Sequence, residues 1–139
     1  MPKPRVLVST QINILTSQRK KIAKVYFSKM SLKIFYLLHS VGLVNNYVIG
    51  STTSVTNKKP FIPSMIWFTL LFYKSKPFFR YLRLVSKPSK KYFISFQALK
   101  LLTKFLGLSL IILETSFGII DHNEALRRRV GGVFLYILS

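Results

Sequence analysis

Residues 114–135 read ETSFGIIDHNEALRRRVGGVFL and hold the clearest folding signals of the chain. The pair Thr115-Ser116 followed by Gly118 is typical of a turn, because hydroxyls bond nearby backbone groups and glycine accepts unusual backbone angles. An apolar run, residues 108–113, comes before this turn. Residues 133–138 are apolar again and predict a buried terminal strand. The chain is therefore expected to reverse direction at the turn and to return through the protein interior.

A short helix is predicted between the turn and the terminal strand. Asp121 can accept a hydrogen bond from the first N–H groups of a helix, and Glu124, three residues on, completes a capping-box-like pair. Arg127, Arg128 and Arg129 follow in the last turn, where positive charge suits the negative end of the helix dipole. Gly131-Gly132 is then expected to end the helix.

This succession resembles the C-terminal signature of a universal small-subunit ribosomal protein family, the S-eight family. The family pattern is a Ser-Thr-Ser-x-Gly turn, an apolar pair, a short helix with Glu-Ala and basic residues, and Gly-Gly entering a terminal strand. Two earlier parts of the chain resemble further landmarks of the family. They are Ser28-Lys29-Met30 with Gly42-Leu43-Val44, and Val85-Ser86-Lys87-Pro88-Ser89.

The resemblance implies a structural constituent of the small ribosomal subunit that binds the central domain of small-subunit rRNA and supports its folding and assembly for translation. In the family the turn contacts a distorted rRNA helix, which places Thr115, Ser116 and Gly118 at that contact. Glu114 stands where the family has Ser or Thr, and Phe117 where Lys is common. The implied partners are small-subunit rRNA and neighbouring ribosomal proteins, and no homo-oligomer is expected.

The charge distribution points independently to a polyanionic partner. The chain has 22 Lys and Arg against three acidic residues, a formal net charge of +19, and no carboxylate side chain precedes Glu114. A free protein with this charge would repel itself, so nucleic acid or an anionic membrane surface is expected to neutralise it. The cations cluster at Arg19, Lys20, Lys21, Lys24, Lys29 and Lys33, and again at Lys74, Lys76, Arg80, Arg83, Lys87, Lys90 and Lys91.

RNA offers phosphates to cations and a shallow minor groove, with 2′-hydroxyls and base edges, to small polar groups. The turn suits that groove because it combines two hydroxyls with a glycine that lets the backbone come close. The predicted RNA-binding residues are Thr115, Ser116, Phe117, Gly118, Ser86, Lys87, Pro88, Lys90, Lys91, Tyr92, Ser28, Lys29, Lys76, Arg127 and Arg128.

The predicted fold is α/β (α+β), with an N-terminal α-β-α-β-β domain over residues 1–75 packed against a mostly β C-terminal domain over residues 76–139 with short helices. The N-terminal elements are a helix over 6–18, a strand over 22–27, a helix capped by Ser28 and stopped by Gly42, and strands over 43–49 and 62–72. A polar loop, 50–59, separates the last two. Residues 96–106 predict an amphipathic helix with Lys100 and Lys104 exposed.

Catalysis, a metal site and a cofactor are not expected. The chain has no Cys and no glycine-rich phosphate loop, and one capped helix accounts for Asp121, His122 and Glu124. The most hydrophobic stretches, 65–73 and 105–113, fall short of the roughly 18 residues of a membrane span and are interpreted as buried strands or helix–strand junctions.

Two other functions stay open at this point. One is a peripheral membrane protein that lays the helix over 96–106 on anionic lipid, and the other is a nucleic-acid binder unrelated to ribosomes. The excess of Lys, Ile, Phe, Tyr and Asn suggests an AT-rich gene, and no targeting segment is evident. The predicted compartment is the mitochondrion, with a plastid or a bacterial cytoplasm as alternatives.

Overall fold

The computed structural model describes residues 3–51, 63–87, 89–107 and 109–139. The chain divides into two compact units, Met1–Phe78 and Phe79–Ser139. Each unit combines helices with an antiparallel sheet. The predicted mixed α/β class is confirmed.

The first unit has the predicted α-β-α-β-β order, followed by a small hairpin. Its elements are α1 (Pro4–Gln18), β1 (Ile22–Tyr26), α2 (Lys29–Val41), β2 (Val44–Ser51), β3 (Pro63–Leu70), β4 (Phe72–Tyr73) and β5 (Lys76–Pro77). The three longer strands form a sheet in the order β1-β3-β2. Gly50 and Ser51, expected in the polar loop, belong to β2, and the rest of that loop lies outside the described residues.

Local signals set the ends of α2. The Ser28 hydroxyl accepts from the Ser31 N–H at 3.0 Å, and Gly42, with φ of 91°, ends the helix in the left-handed conformation. Ile34 and Leu38 are buried one turn apart, as expected where one face of a helix covers a sheet. Helix α1 begins with Pro4 and ends at Gln18, and the C-cap residue Arg19 adopts φ of 53°.

The sheet of the first unit is buried on one face. Ile66 and Phe68 of β3 are inaccessible, and the rings of Phe68 and Phe35 lie 4.6 Å apart. Trp67, between them in sequence, points to the other face and is 46% exposed, because successive side chains of a strand alternate. The interpretation of residues 65–73 as buried is therefore correct for one face only.

The second unit has one sheet with β10 at its centre. Its elements are β6 (Leu82–Leu84), β7 (Phe93–Ile94), α3 (Phe96–Thr103), β8 (Leu110–Thr115), β9 (Gly118–Asp121), α4 (His122–Arg128) and β10 (Gly132–Leu138). β10 pairs antiparallel with β6, β7 and β8, and β9 pairs with the other edge of β8. The predicted short helix and terminal strand are present.

The core of the second unit joins α3 and α4 to the sheet. Leu99 of α3 and Ala125 of α4 pack with Ile111 and Leu113 of β8. α3 is three residues shorter than predicted, and Phe105, expected in a buried segment, is 85% exposed. No helix within the described ranges is long and apolar enough to cross a membrane.

The end of α4 differs from the prediction. The residue that leaves the helix is Arg129, with φ of 57° and its N–H bonded to the carbonyls of Ala125 and Leu126. Gly131 and Gly132 come later, where the chain enters β10. They serve a different purpose, a close approach between backbones.

Candidate nucleic-acid interface

The β8–β9 turn is held in shape by its own threonine. Thr115 pairs with Gly118 across the hairpin, so Ser116 and Phe117 form a two-residue loop. The Thr115 Oγ1 donates to the Gly118 carbonyl and accepts from the Phe117 N–H, both at 3.1 Å. Gly118 has φ of 98°, a conformation that favours glycine. The turn therefore depends on Thr115 and Gly118 for its geometry.

Ser116 has a different place in the same turn. Its side chain is exposed, and within the part of the chain that the structure describes its hydroxyl has no protein partner. A hydroxyl can donate one hydrogen bond and accept two. The sequence predicted both hydroxyls as RNA contacts. In the structure the Thr115 hydroxyl forms hydrogen bonds within the turn, whereas the Ser116 hydroxyl is available to a ligand.

Phe117 and Arg128, both predicted contacts, lie together beside the turn. The Arg128 Cζ sits 4.8 Å from the centre of the Phe117 ring, a cation–π contact. The ring remains 56% exposed. An arginine on an exposed ring can meet a phosphate while the ring edge meets a sugar or base, so this pair extends the turn into a small cationic and aromatic patch.

A carboxylate fixes the two arginines of this patch. The Glu124 Oε1 accepts from Arg127 Nη2 at 2.7 Å and from Arg128 Nε at 2.6 Å. The hydrogen bond from Arg127, and then that from Arg128, lowers the pKa of Glu124, and the same contact raises the pKa of Arg127. The capping box forms only in part: Asp121 Oδ1 accepts from the Glu124 N–H at 3.3 Å, while the Glu124 carboxylate turns to the arginines.

His122 attaches the beginning of α4 to β8. Its Nδ1 accepts from the Ile111 N–H at 3.1 Å, and burial lowers the pKa of the imidazole, which favours the neutral form that can accept. Among the described residues, no group of three His, Cys, Asp or Glu side chains could hold a metal ion. Asp121, His122 and Glu124 thus have structural partners within the helix and its neighbouring strand.

A second basic feature is the turn between β6 and β7. Lys87 and Lys90 exchange backbone hydrogen bonds, both of 3.0 Å, which closes a tight loop. The side chains of Lys87, Lys90 and Lys91 are exposed. The Lys90 Nζ lies 5.4 Å from the centre of the Tyr92 ring, and the predicted contact Pro88 lies outside the described residues.

Ser86 attaches this basic turn to β10. It is fully buried, and its hydroxyl donates to the Phe134 carbonyl of β10 and accepts from the Tyr92 N–H at 3.0 Å. A backbone bond of 2.8 Å from Phe134 to Tyr92 reinforces the attachment. Because Ser86 is buried and its hydroxyl bonds within the protein, the structure gives this side chain a positioning role, and its direct contact with RNA stays a prediction.

The glycine pair brings three backbones together. A Cβ atom on Gly131 would overlap the carbonyl oxygen of Ile94, and one on Gly132 would overlap the carbonyl oxygen of Glu114. Larger residues would push β10 away from β7 and β8. Because Glu114 directly precedes the turn, Gly132 also helps to set where the turn lies.

The remaining predicted contacts belong to the first unit. The Ser28 hydroxyl caps α2, whereas Lys29 and Lys76 have exposed side chains. The predicted domain division placed Lys76 in the C-terminal part, and in the structure it lies in the first unit. The other described candidates all lie in the second unit, around the β8–β9 turn and the β6–β7 turn.

Sequence reasoning missed an exposed face of the first sheet, formed by Lys24, Tyr26 and Trp67. Lys24 pairs with Trp67 across β1 and β3, and the Lys24 Nζ lies 5.3 Å from the centre of the indole. The signal available in the sequence was the alternation of Ile22, Lys24 and Tyr26, which places these residues on one side of a strand.

Comparison with known proteins finds similarity that extends over both units. The family model described as Ribosomal protein S8 matches residues 8–138. The small ribosomal subunit protein uS8 of Brucella anthropi is 28% identical over 126 residues, which cover 91% of this chain and 89% of that protein. The small ribosomal subunit protein uS8m of Schizosaccharomyces pombe is 25% identical over 129 residues, covering 82% of this chain and 85% of that protein. The uS8 protein of a Sulfurihydrogenibium species is 28% identical over 122 residues, with coverages of 88% and 87%.

Proposed function

We propose, since the chain belongs to the ribosomal protein S8 family, that it binds the central domain of small-subunit rRNA and supports the folding of that RNA during subunit assembly. The chain is a structural protein of the small ribosomal subunit that serves translation, and it is not an enzyme. Its partners are rRNA and other ribosomal proteins. The proposal concerns which RNA the protein binds and which residues bind it.

The observation that carries the proposal is the β8–β9 turn. An exposed serine hydroxyl stands at its tip, and the Phe117–Arg128 pair lies beside it. The hydroxyl suits 2′-hydroxyls and base edges in the RNA minor groove, while Arg127 and Arg128 suit phosphates. Internal bonds fix the turn before RNA arrives, so little ordering entropy is lost on binding.

The basic β6–β7 turn supports the same function in a different way. Lys87, Lys90 and Lys91 extend from a loop that Ser86 anchors to β10. Lysine binds phosphate as a point charge without reading sequence. We therefore assign general RNA affinity to these lysines and preference for the cognate helix to Ser116 and its neighbours.

The test is binding of the full chain to a transcript of the central-domain helix from its own small-subunit rRNA, against a scrambled hairpin, across a salt series. We expect a preference of at least tenfold, about 1.4 kcal/mol, that persists as salt weakens both complexes. Ser116→Ala should weaken cognate binding about fivefold, as loss of one hydrogen bond predicts, and leave the scrambled hairpin unaffected. Ser40→Ala, on an exposed part of α2, is the matched control.

Lys87→Ala gives the complementary result. Both RNAs should bind more weakly by a similar factor, and the slope of log affinity against log salt should fall by about 1. Equal loss on both RNAs for Ser116→Ala would remove the assignment of specificity to the turn. Equal binding of cognate and scrambled RNA by the unaltered chain would remove the proposed target.

We also propose that the ribosome in question is mitochondrial. The support is the AT-rich residue usage and the fission-yeast relative uS8m, a mitochondrial protein. The bacterial relatives are of similar identity, so a direct observation is required. The chain should sediment with the small ribosomal subunit in a gradient of purified mitochondria; its recovery only with ribosomes of another compartment would refute this assignment.

A further inference from the structure

The first unit contains a groove that is separate from the β8–β9 turn of the second unit. It has a volume of about 480 Å³ and is lined by residues of α1, β1 and β3. Its lining includes Gln11, Ile14 and Gln18 of α1 and, from the sheet, Lys24, Tyr26 and Trp67. A volume of this order suits a small organic group such as one or two nucleotides.

Within the described residues, β1, which lines the groove, has one edge that pairs with no other strand. β1 is an edge strand, since the sheet order is β1-β3-β2. The Phe27 N–H and the Lys21 carbonyl bond to β3, so by antiparallel alternation Ile22, Lys24 and Tyr26 direct their N–H and C=O groups away from β3. These groups and the two glutamine amides of α1 can hydrogen-bond the edges of an unpaired base.

Two aromatic rings stand on the same face of the sheet. Tyr26 is 66% exposed and Trp67 is 46% exposed. Tyr26 pairs with Met65 and Lys24 with Trp67, so the two rings are diagonal neighbours, within reach of one bound strand. The indole lies 3.4 Å from the position that a Cβ of Gly50 would take, which means that it rests against the bare backbone there.

The positive charge around the groove indicates which class of ligand binds there. Lys20 and Lys24 line the groove, and Arg19 and Lys21 adjoin it in sequence. No carboxylate side chain occurs before Glu114, so this unit cannot neutralise those cations itself. A protein strand could use the free edge of β1, but it would leave the rings and lysines without their best partners, whereas single-stranded RNA supplies bases for the rings and phosphates for the lysines.

We propose that this groove binds unpaired nucleotides of an RNA strand, with bases stacked on Tyr26 and Trp67 and phosphates near Lys20 and Lys24. The proposal rests on the RNA-binding function proposed above and adds to it a second, single-stranded contact in the other unit. Stacking on rings tolerates any base, because every base has an aromatic face. The groove therefore holds RNA without selecting its sequence.

Trp67 makes the groove directly observable because it is the only tryptophan of the chain. The full-length protein is titrated with an oligouridylate of about eight nucleotides, within the usual site size of single-strand binders, while Trp67 emission is recorded. Dextran sulfate and a blunt-ended, fully paired RNA duplex serve as polyanions without available bases. We expect the oligouridylate to quench Trp67 and the two comparison polyanions to bind with little quenching.

Tyr26→Leu and Tyr36→Leu form a matched pair of variants. Both tyrosines are 66% exposed and both lie in the first unit, but Tyr36 belongs to α2 and lies outside the groove. Loss of one stacking ring should weaken oligouridylate binding about fivefold to a hundredfold in Tyr26→Leu. Tyr36→Leu should bind like the unaltered protein.

Three outcomes would overturn the proposal. They are equal quenching by dextran sulfate, equal affinity of the two tyrosine variants, and unchanged Trp67 emission while filter binding still detects the oligouridylate on the protein. The last outcome would instead favour a protein strand as the partner that pairs with the edge of β1. The Ser116→Ala comparison on cognate rRNA is scored separately, so failure of the groove and failure of the proposed rRNA target are distinguishable.

Discussion

The β8–β9 turn and the groove of the first unit both expose aromatic and cationic side chains, but only the turn has them fixed by partners. Thr115 bonds twice within the turn, and Glu124 holds both Arg127 and Arg128. In the first unit Lys24 rests on Trp67 and has no carboxylate within its own unit. Fixed donors can discriminate among RNA shapes, whereas exposed rings and unpaired lysines accept any strand.

The difference extends to the backbone. The second unit relies on close approach of three strands at Gly131 and Gly132, while Gly42 of the first unit ends a helix in open space. A fixed geometry at the turn thus requires dense packing beneath it. The groove requires only that α1 stay beside the free edge of β1.

The largest expected effect tests that packing. Gly131→Ala puts a Cβ into the Ile94 carbonyl, so the strands must separate, and we expect a loss of about 3 kcal/mol in the free energy of unfolding, the upper end for overpacking. Gly42→Ala is the control in the first unit, where only the left-handed conformation costs about 1–2 kcal/mol. Urea denaturation followed by circular dichroism measures both, and equal losses would erase this contrast between the units.

The second prediction concerns the anchor of the basic turn. Ser86→Ala leaves the Phe134 carbonyl and the Tyr92 N–H without their hydroxyl partner, and a buried unsatisfied group costs about 1–3 kcal/mol. The same denaturation experiment should show a loss of about 2 kcal/mol. Ser89→Ala, an exposed change in the same turn, should stay within about 0.5 kcal/mol. A neutral Ser86→Ala would mean that the lysine turn is not anchored by this hydroxyl.

The sequence was most informative where local chemistry sets the structure. Ser28 and Gly42 mark the ends of α2 because a hydroxyl caps the first turn and a glycine takes positive φ. Asp121 marks the beginning of α4 for the same reason. These signals depend only on residues within one turn of each other, so they are readable without tertiary contacts.

Contacts between distant residues were not readable in the same way. Phe117 meets Arg128 only because α4 folds back beside the turn, and Trp67 meets Lys24 only through the register of β1 and β3. Gly131-Gly132 looked like a helix end, but the pair serves long-range backbone packing and Arg129 ends the helix. Likewise, the different roles of Thr115 and Ser116 follow from the turn geometry and not from their residue types.

The third prediction compares strained positions in the two units. Ser75, in the β4–β5 turn, and Arg129, at the end of α4, have φ of 63° and 57°. Left-handed backbone costs non-glycine residues about 1–2 kcal/mol, part of which the greater unfolded-state entropy of glycine offsets. Ser75→Gly and Arg129→Gly should each stabilise the protein by roughly 0.5–1 kcal/mol, measured as a rise in urea midpoint. Destabilisation by either change would show that the original side chain stabilises the fold by more than its left-handed backbone conformation costs.

The smallest expected effect is a dependence of folding stability on pH that arises from His122 in the second unit. Burial lowers the pKa of this imidazole in the folded protein, so folding favours the neutral form. The associated stability is complete above the usual imidazole pKa of 6.5 and declines as pH falls below it towards the folded-state value. Protonation also turns Nδ1 from an acceptor into a donor, which breaks its bond with the Ile111 N–H and loosens α4 from β8. Urea denaturation at a series of pH values should show this decline in the unaltered protein and a flatter profile in His122→Gln; identical profiles would mean that the imidazole does not couple protonation to the packing beneath the turn.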